Sequence, residues 1–375
     1  MRIALFTYEY GSTSRGGLGR YLEQLVPFLR GRGVQVDIFH LREHGAAEGA
    51  HHVSWLRTDA VTGTDEVIRR PLSQSTPTAP DIDPGGYDVV LCQDWMGVVA
   101  SEGLWRRGVR LVYTCHLPLD WEANWREKIG CQYADQLEIY GLAGADAVIA
   151  VSFAIRDYLH RIHPYTRGKV HVVHNGIDER FSVARHPRDN AGDVAFVGRL
   201  AAQKGVHILP EVFGQLAAEF PERSFHIIGS GRLEDELREA LQQRGIGSRC
   251  VFHGHVDSGR LAELFTRIDV LLMPSRHEPF GILALEAMDA GVAVVASDLD
   301  GLKEIIVDGE SGFRVDPDDV AGFTDRVRAL LADDALRDRI VRGGAARVEE
   351  KFRARHSTEA TLAVLERVVA TERAW

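Results

Sequence analysis

The chain has 375 residues, longer than one ordinary domain, and length alone favours two. A hydrophobic fraction of 45% with 26% charged residues belongs to a folded protein with a sizeable core and excludes a disordered chain. The net charge of −10 excludes a generic nucleic-acid binder and works against attraction to an anionic membrane.

Cys92, Cys115, Cys131 and Cys250 form no CxxC pair and no secreted disulfide pattern, so reduced thiols in a cytoplasmic protein are expected. The first residues read as a strand and not as a signal peptide, and no apolar run is long enough to span a bilayer. Arginine heavily outnumbers lysine, a bias expected of a G+C-rich bacterial genome.

In the first half, β-branched runs at residues 2–6, 34–40, 89–93, 110–116, 147–151 and near 170–174 read as strands. Tyr21, Leu22, Leu25, Phe28 and Leu29 recur at helical spacing in a segment that starts near Gly17. Residues 43–86 are polar and hold Pro77, Pro80 and Pro84, so they read as a long excursion from the first sheet. Ser152 has the position of an N-cap for a helix over 153–163, which ends close to Pro164. Around 177–193, Arg, His, Pro, Asp and Asn crowd without periodicity, as in a linker. Beyond it the pattern restarts, with strands at 194–197, 224–228, 251–253, 270–273 and 292–296.

Alternation of this kind predicts an α/β chain of two Rossmann-like, doubly wound parallel-sheet domains. The first is expected over 1–178 and the second over 190–356, with an amphipathic helix at about 357–375 packing back on the first. Two such sheets facing a central cleft hold their ligands at the C-terminal ends of the strands.

Two stretches of the second half carry chemistry at such ends. The strand over 194–197 runs into Gly198, Arg199 and, five residues on, Lys204. A guanidinium fork and a compact ammonium suit a diphosphate and the charge that grows as it leaves. Taken alone, the pair equally describes two solvated surface cations. The second stretch is Glu278-Pro-Phe280-Gly281-Ile282 with Glu286 on the helix that follows. Free N–H groups at that helix start form an anion site, and Gly281 opens room for close approach. Two carboxylates beside a phosphate site make sense as acceptors from sugar hydroxyls, one on the transferred sugar and one on a ribose. The bland alternative is a capping glutamate and a helix-surface glutamate.

The run EPFGILALE at 278–286, followed by Ala290-Gly291 and Val294-Val295-Ala296-Ser297, resembles the retaining GT-B glycosyltransferases of family four, the glycosyl transferases of group 1. So do the Gly198–Gly205 segment, the turn Asn175-Gly176-Ile177-Asp178 and the early Gly16-Gly17 loop. The resemblance covers nearly the whole chain and is strongest from Asn175 to Gly312. It implies that Arg199 and Lys204 bind the donor diphosphate and that Glu278 contacts the transferred sugar. The backbone of Phe280, Gly281 and Ile282 would hold the sugar and β-phosphate, Glu286 the ribose, and the segment around Val256 the base. Gly17 would bring its N–H to the diphosphate from the first domain, and His116 would face the anomeric carbon. The implied reaction is a front-face displacement with no protein nucleophile. Three positions depart from the family pattern: His174 and Ala293 stand where proline is frequent, and Asp300 where glycine is common.

The expected donor is a nucleotide diphosphate sugar, with UDP favoured on family frequency and a hexose or N-acetylhexosamine transferred to a hydroxyl of a small acceptor. Asp120, Trp121 and Glu122 follow His116 as candidate acceptor contacts; carboxylates pair with ammonium groups and indoles stack on sugar rings. That reading points to an aminocyclitol or amino sugar acceptor, and a solvated acidic loop with inward-packed tryptophans competes with it. Asp298 and Asp300 have the DxD shape of metal-dependent transferases, but Arg199 and Lys204 already supply the charge a metal would bring, so no metal and no cofactor are expected. The alternatives are a sugar-nucleotide epimerase on the same scaffold and a catalytically silent nucleotide-binding partner. A GxGxxG dehydrogenase turn and a GxxxxGK[ST] loop are both missing from the sequence.

Overall fold

The computed structural model describes residues 1–10, 17–40, 51–52, 82–119, 121, 132–178 and 192–371. They divide into two compact units, Met1–Asn175 with Ala354–Trp375, and Gly176–Arg353. In the first unit, β1 (Arg2–Thr7), β2 (Gln35–His40), β3 (His51–His52), β4 (Val89–Gln93), β5 (Arg110–Cys115), β6 (Ala147–Ala150) and β7 (Val170–Val172) form one sheet. Its order is β3-β2-β1-β4-β5-β6-β7, and every pairing is parallel. The helices are α1 (Gly17–Gly31), α2 (Asp94–Trp105), α3 (Gln132–Gly144) and α4 (Phe153–Ile162). Strands β4 and β6 are buried along their whole length, which is why they read as continuous apolar runs. α1 turns Leu18, Tyr21, Leu22, Leu25, Val26 and Leu29 inward, and Ser152 Oγ caps α4 by accepting the Ile155 N–H at 3.1 Å.

The second unit repeats the construction with β8 (Asp193–Val197), β9 (Phe225–Ile228), β10 (Cys250–Gly254), β11 (Ile268–Met273), β12 (Ala293–Ser297) and β13 (Phe313–Val315). Here the order is β10-β9-β8-β11-β12-β13, again wholly parallel. Its helices are α5 (Leu209–Glu219), α6 (Glu234–Gln243), α7 (Ser258–Phe265), α8 (Ile282–Asp289), α9 (Leu302–Ile305), α10 (Val320–Ala332) and α11 (Asp334–Lys351). Winding runs outward one way from β8 and the other way from β11. The crevice at their C-terminal ends is therefore the place where such a sheet holds a ligand. In the first unit the same reversal falls between β1 and β4.

The last helix, α12 (Ala354–Ala370), belongs to the first unit. It adds Leu362, Val364, Leu365 and Val368 to the first core, and its Thr361 Oγ1 lies 3.1 Å from the Tyr21 hydroxyl of α1. Three details differ from the sequence pattern. β3 and β13, of two and three residues, are too short to show any periodicity. The helix begins at Ala354 and not at 357. The units part at Asn175/Gly176 and not at 178 and 190, because Ile177 pairs with the returning chain: its N–H donates to Phe352 O at 2.8 Å, and it bridges Arg353 in parallel.

Arg353 anchors that return. Its guanidinium reaches both oxygens of Asp289, on α8, at 2.7 and 3.0 Å, and both side chains are buried. Removing one partner leaves the other charge uncompensated away from water. Asp289→Ala is expected to cost the second unit about 3 kcal/mol, read by denaturant-dependent hydrogen exchange of peptides from 176–353, with Asp289→Asn milder.

Candidate active site

In the second unit, β8 delivers Gly198 and Arg199, and β11 delivers Pro274 to Glu278, to the same end of the sheet. The two segments are sewn together: the Arg276 N–H donates to Gln203 O at 2.9 Å. Gly205 is required at their closest approach, because its φ is +69° and a Cβ there would collide with the Pro274 carbonyl. This brings Lys204 Nζ to 2.6 Å from Glu278 Oε2, with side chains 22% and 13% exposed. Ser275 Oγ stands 3.4 Å from the same carboxylate oxygen. Arg199 is exposed, and among the described residues its guanidinium has no ion-pair partner.

Pro279 and Phe280 turn the chain into α8. Gly281, at φ +108°, precedes its first residue Ile282, and no side chain caps this end. The Ala284 N–H is bonded to Gly281 O at 2.9 Å, which leaves the N–H groups of Ile282 and Leu283 to face an anion. Glu286 lies one turn along α8 and is 1% exposed. Val256 sits past the end of β10, beside Asp257, which caps α7 through the Arg260 N–H at 2.8 Å. The two carboxylates of the DxD shape have separate partners. Asp298 pairs with Arg314 at 3.0 Å and Lys303 at 3.7 Å, whereas Asp300 Oδ2 accepts from the Glu278 N–H at 3.1 Å and lies 2.9 Å from His277 Nδ1.

In the first unit His116 follows β5. Its backbone N–H donates to Asp94 Oδ1 at 2.9 Å, and its ring Nε2 lies 2.8 Å from Gln93 Oε1. The Tyr21 ring meets it edge-on at 5.4 Å. Burial pushes the imidazole down to about 4, so it is neutral at physiological pH. Asp94 holds φ +52°, a left-handed backbone at the junction of β4 and α2. Gln93 was missed, since a glutamine closing an apolar strand carries no signal of a partner on the neighbouring strand. Glu9 was missed for the same reason: its carboxylate accepts the Gly19 N–H at 3.3 Å, at the start of α1 where Gly17 stands.

Beyond His116 the chain is tied by the buried Glu138 of α3, which accepts from Tyr113 Oη at 3.0 Å and from the Leu119 N–H at 2.9 Å. Trp121 stacks flat on Tyr158 of α4, with ring centroids 5.0 Å apart at 6°, so one indole face is spent on packing. Asp120 and Glu122 lie outside the described residues. The structure thus gathers Arg199, Lys204, Glu278, Phe280, Gly281, Ile282 and Glu286 at the β8/β11 reversal, with Val256 at the neighbouring edge, and sets His116 with Tyr21, Gln93 and Asp94 in the first unit.

Each unit is a doubly wound parallel sheet, and the second carries an uncapped helix start, two cations and two carboxylates at its reversal. Residues 178–347 match the family described as Glycosyl transferases group 1, and 15–181 match Glycosyltransferase Family 4. An α-maltose-1-phosphate synthase of Mycolicibacterium smegmatis is 31% identical over 99% of this chain and 100% of its own. A glycogen synthase of Mycobacterium tuberculosis is 28% identical over 94% of this chain and 91% of its own. The crystal structure of Anabaena HepE with UDP and glucose superposes with a TM-score of 0.77 at 20% identity, over 98% of this chain and 100% of that one. The chain belongs to the GT-B glycosyltransferases of family four.

The depressed His116 pKa makes a pH prediction. Between about 4 and the ordinary 6.5 the unfolded chain binds a proton that the folded chain does not. Its contribution to stability is therefore complete above about 6.5 and lost as pH falls toward about 4. Thermal melts of wild type should fall across this window, and those of His116→Gln should fall less steeply.

Proposed function

We propose that the protein is a retaining, metal-independent hexosyltransferase that moves a hexose or N-acetylhexosamine from a UDP-sugar to a hydroxyl of a small acceptor. The observation that carries this reading is the Lys204–Glu278 ion pair, 2.6 Å long, beside the uncapped start of α8 and the exposed Arg199. A bound diphosphate takes the place of Glu278 as the anion opposite Lys204. The released carboxylate is then free to accept from a hydroxyl of the transferred sugar. The α8 N–H groups meet the β-phosphate, Glu286 accepts from the ribose, and the backbone near Val256 lies against the base.

In the reaction the acceptor oxygen bonds to the anomeric carbon as the bond from that carbon to the phosphate oxygen breaks. The acceptor proton passes to the departing phosphate on the same face, which retains the configuration. Lys204 and Arg199 stabilise the charge that develops on the diphosphate. His116, neutral near pH 7, orients sugar and acceptor through a neutral hydrogen bond. Two of the named relatives carry glycogen and α-maltose 1-phosphate in their names, both α-glucosides, which favours glucose as the sugar and retention as the outcome. The same names favour a sugar acceptor, phosphorylated or not, over an amine-bearing one, and Trp121 is the acceptor contact retained here.

Thermal-shift screening against UDP, GDP, ADP and dTDP tests the donor. UDP should give the largest stabilisation, and Arg199→Ala and Glu286→Ala should abolish it; no shift with any of the four overturns the reading. With a turnover assay in hand, Lys204→Ala should lower kcat/KM by roughly 10²–10³-fold. Wild-type activity should persist in EDTA, and a loss restored by magnesium would make the enzyme metal-dependent.

A further inference from the structure

Asp300 stands out among the residues around Glu278. Its φ is +44°, and Asp94 is the other non-glycine residue with positive φ among the described residues. For a side chain with a Cβ this region is disfavoured, so it persists only where surrounding contacts over-determine it. The contacts are present. One carboxylate oxygen, Oδ2, accepts from the backbone N–H of Glu278 at 3.1 Å and lies 2.9 Å from His277 Nδ1. The next residue completes the clamp: the Gly301 N–H donates to Glu278 O at 3.1 Å. A Cβ on Gly301 would collide with the Cα of Phe280. The backbone of Glu278 is thus gripped at its N–H and at its C=O by two consecutive residues of the β12–α9 connection. His277, 3% exposed, is held by the same oxygen.

We infer that Asp300 is the positioning residue for sugar recognition: it fixes the Glu278 backbone, so that the carboxylate leaving Lys204 has one direction in which to meet the sugar. This rests on the transfer reading given above and names the device that sets sugar choice at that site. The grip acts on the backbone, while the Glu278 side chain is paired with Lys204. Nucleotide and sugar therefore draw on different parts of the site. The diphosphate meets Lys204, Arg199 and the α8 start, whereas the Asp300 carboxylate bonds to the Glu278 N–H. A hydroxyl of one epimer is told from that of another by where the Glu278 oxygens stand, and a loose loop averages that position.

The test measures dissociation constants of UDP, UDP-glucose and UDP-galactose by calorimetry for wild type, Asp300→Gly and Asp300→Asn. Glycine suits φ +44° better than aspartate does, so the Gly variant folds, and its melting temperature checks this. Asparagine also tolerates the left-handed region and keeps an oxygen for the Glu278 N–H. Asp300→Gly should bind UDP within about twofold of wild type, while the wild-type ratio between the two epimers falls by about tenfold, close to 1.4 kcal/mol. Asp300→Asn should keep most of the ratio. Three results overturn the inference alone: wild type that binds both epimers equally, an Asp300→Gly variant with the wild-type ratio, or UDP affinity that falls in step with it. Wild type that binds no UDP overturns the transfer reading, and this inference with it.

Discussion

Lys204 and Glu278 are far apart in sequence and meet because β8 and β11 are neighbours at the point where the winding of the second sheet reverses. Both charges are largely withdrawn from water, and an unpaired charge at that depth is expensive. The ion pair lets the fold tolerate them. On the proposed reading, an arriving diphosphate exchanges with that carboxylate instead of desolvating a bare ammonium. Around this pair the fold is tight. Gly205 lies against Pro274, Arg276 is bonded to Gln203, and Gly301 is bonded to Glu278.

The first unit has a comparable chain of dependence around His116. α12 places Thr361 on Tyr21, Tyr21 meets the imidazole, and Gln93 and Asp94 from the neighbouring strand hold the ring and the backbone. Burial raises the Tyr21 hydroxyl to about 12 and lowers His116 to about 4, so both stay neutral across the physiological range. What this unit presents is shape and neutral hydrogen bonds. The second unit presents charge.

How much of this could be read in the chain depended on how local each feature is. The run from Glu278 to Glu286 is contiguous, and proline, glycine and the helix pattern mark its geometry, so its elements could be placed directly. Arg199 and Lys204 follow a strand by a few residues and were equally visible. Contacts between neighbouring strands left no trace. Gln93 with His116 is one case. Asp193, His226 and His253, linked across β8, β9 and β10 at 2.9 and 2.8 Å, are another. Asp300 was noticed as an extra carboxylate, but its bonds to His277 and Glu278 depend on the folding of the β12–α9 turn against the loop after β11. Sheet membership of β3 and β13 and the parting at Gly176 were hidden because short bridges, and not periodic runs, decide them.

The return of the chain through Arg353 to α12 has a consequence for the order in which the protein forms on the ribosome. The core of the first unit needs Leu362, Val364, Leu365 and Val368, which are made after every residue of the second unit. The usual sequence, in which the N-terminal domain completes first, is therefore inverted. Residues 176–353 are contiguous and can close while the first sheet still lacks its last helix, leaving part of its apolar face exposed. That interval is where a nascent chain of this type is most open to chaperones and to aggregation. A single cut in the chain can release the later part of the second unit, but it cannot yield a complete first one.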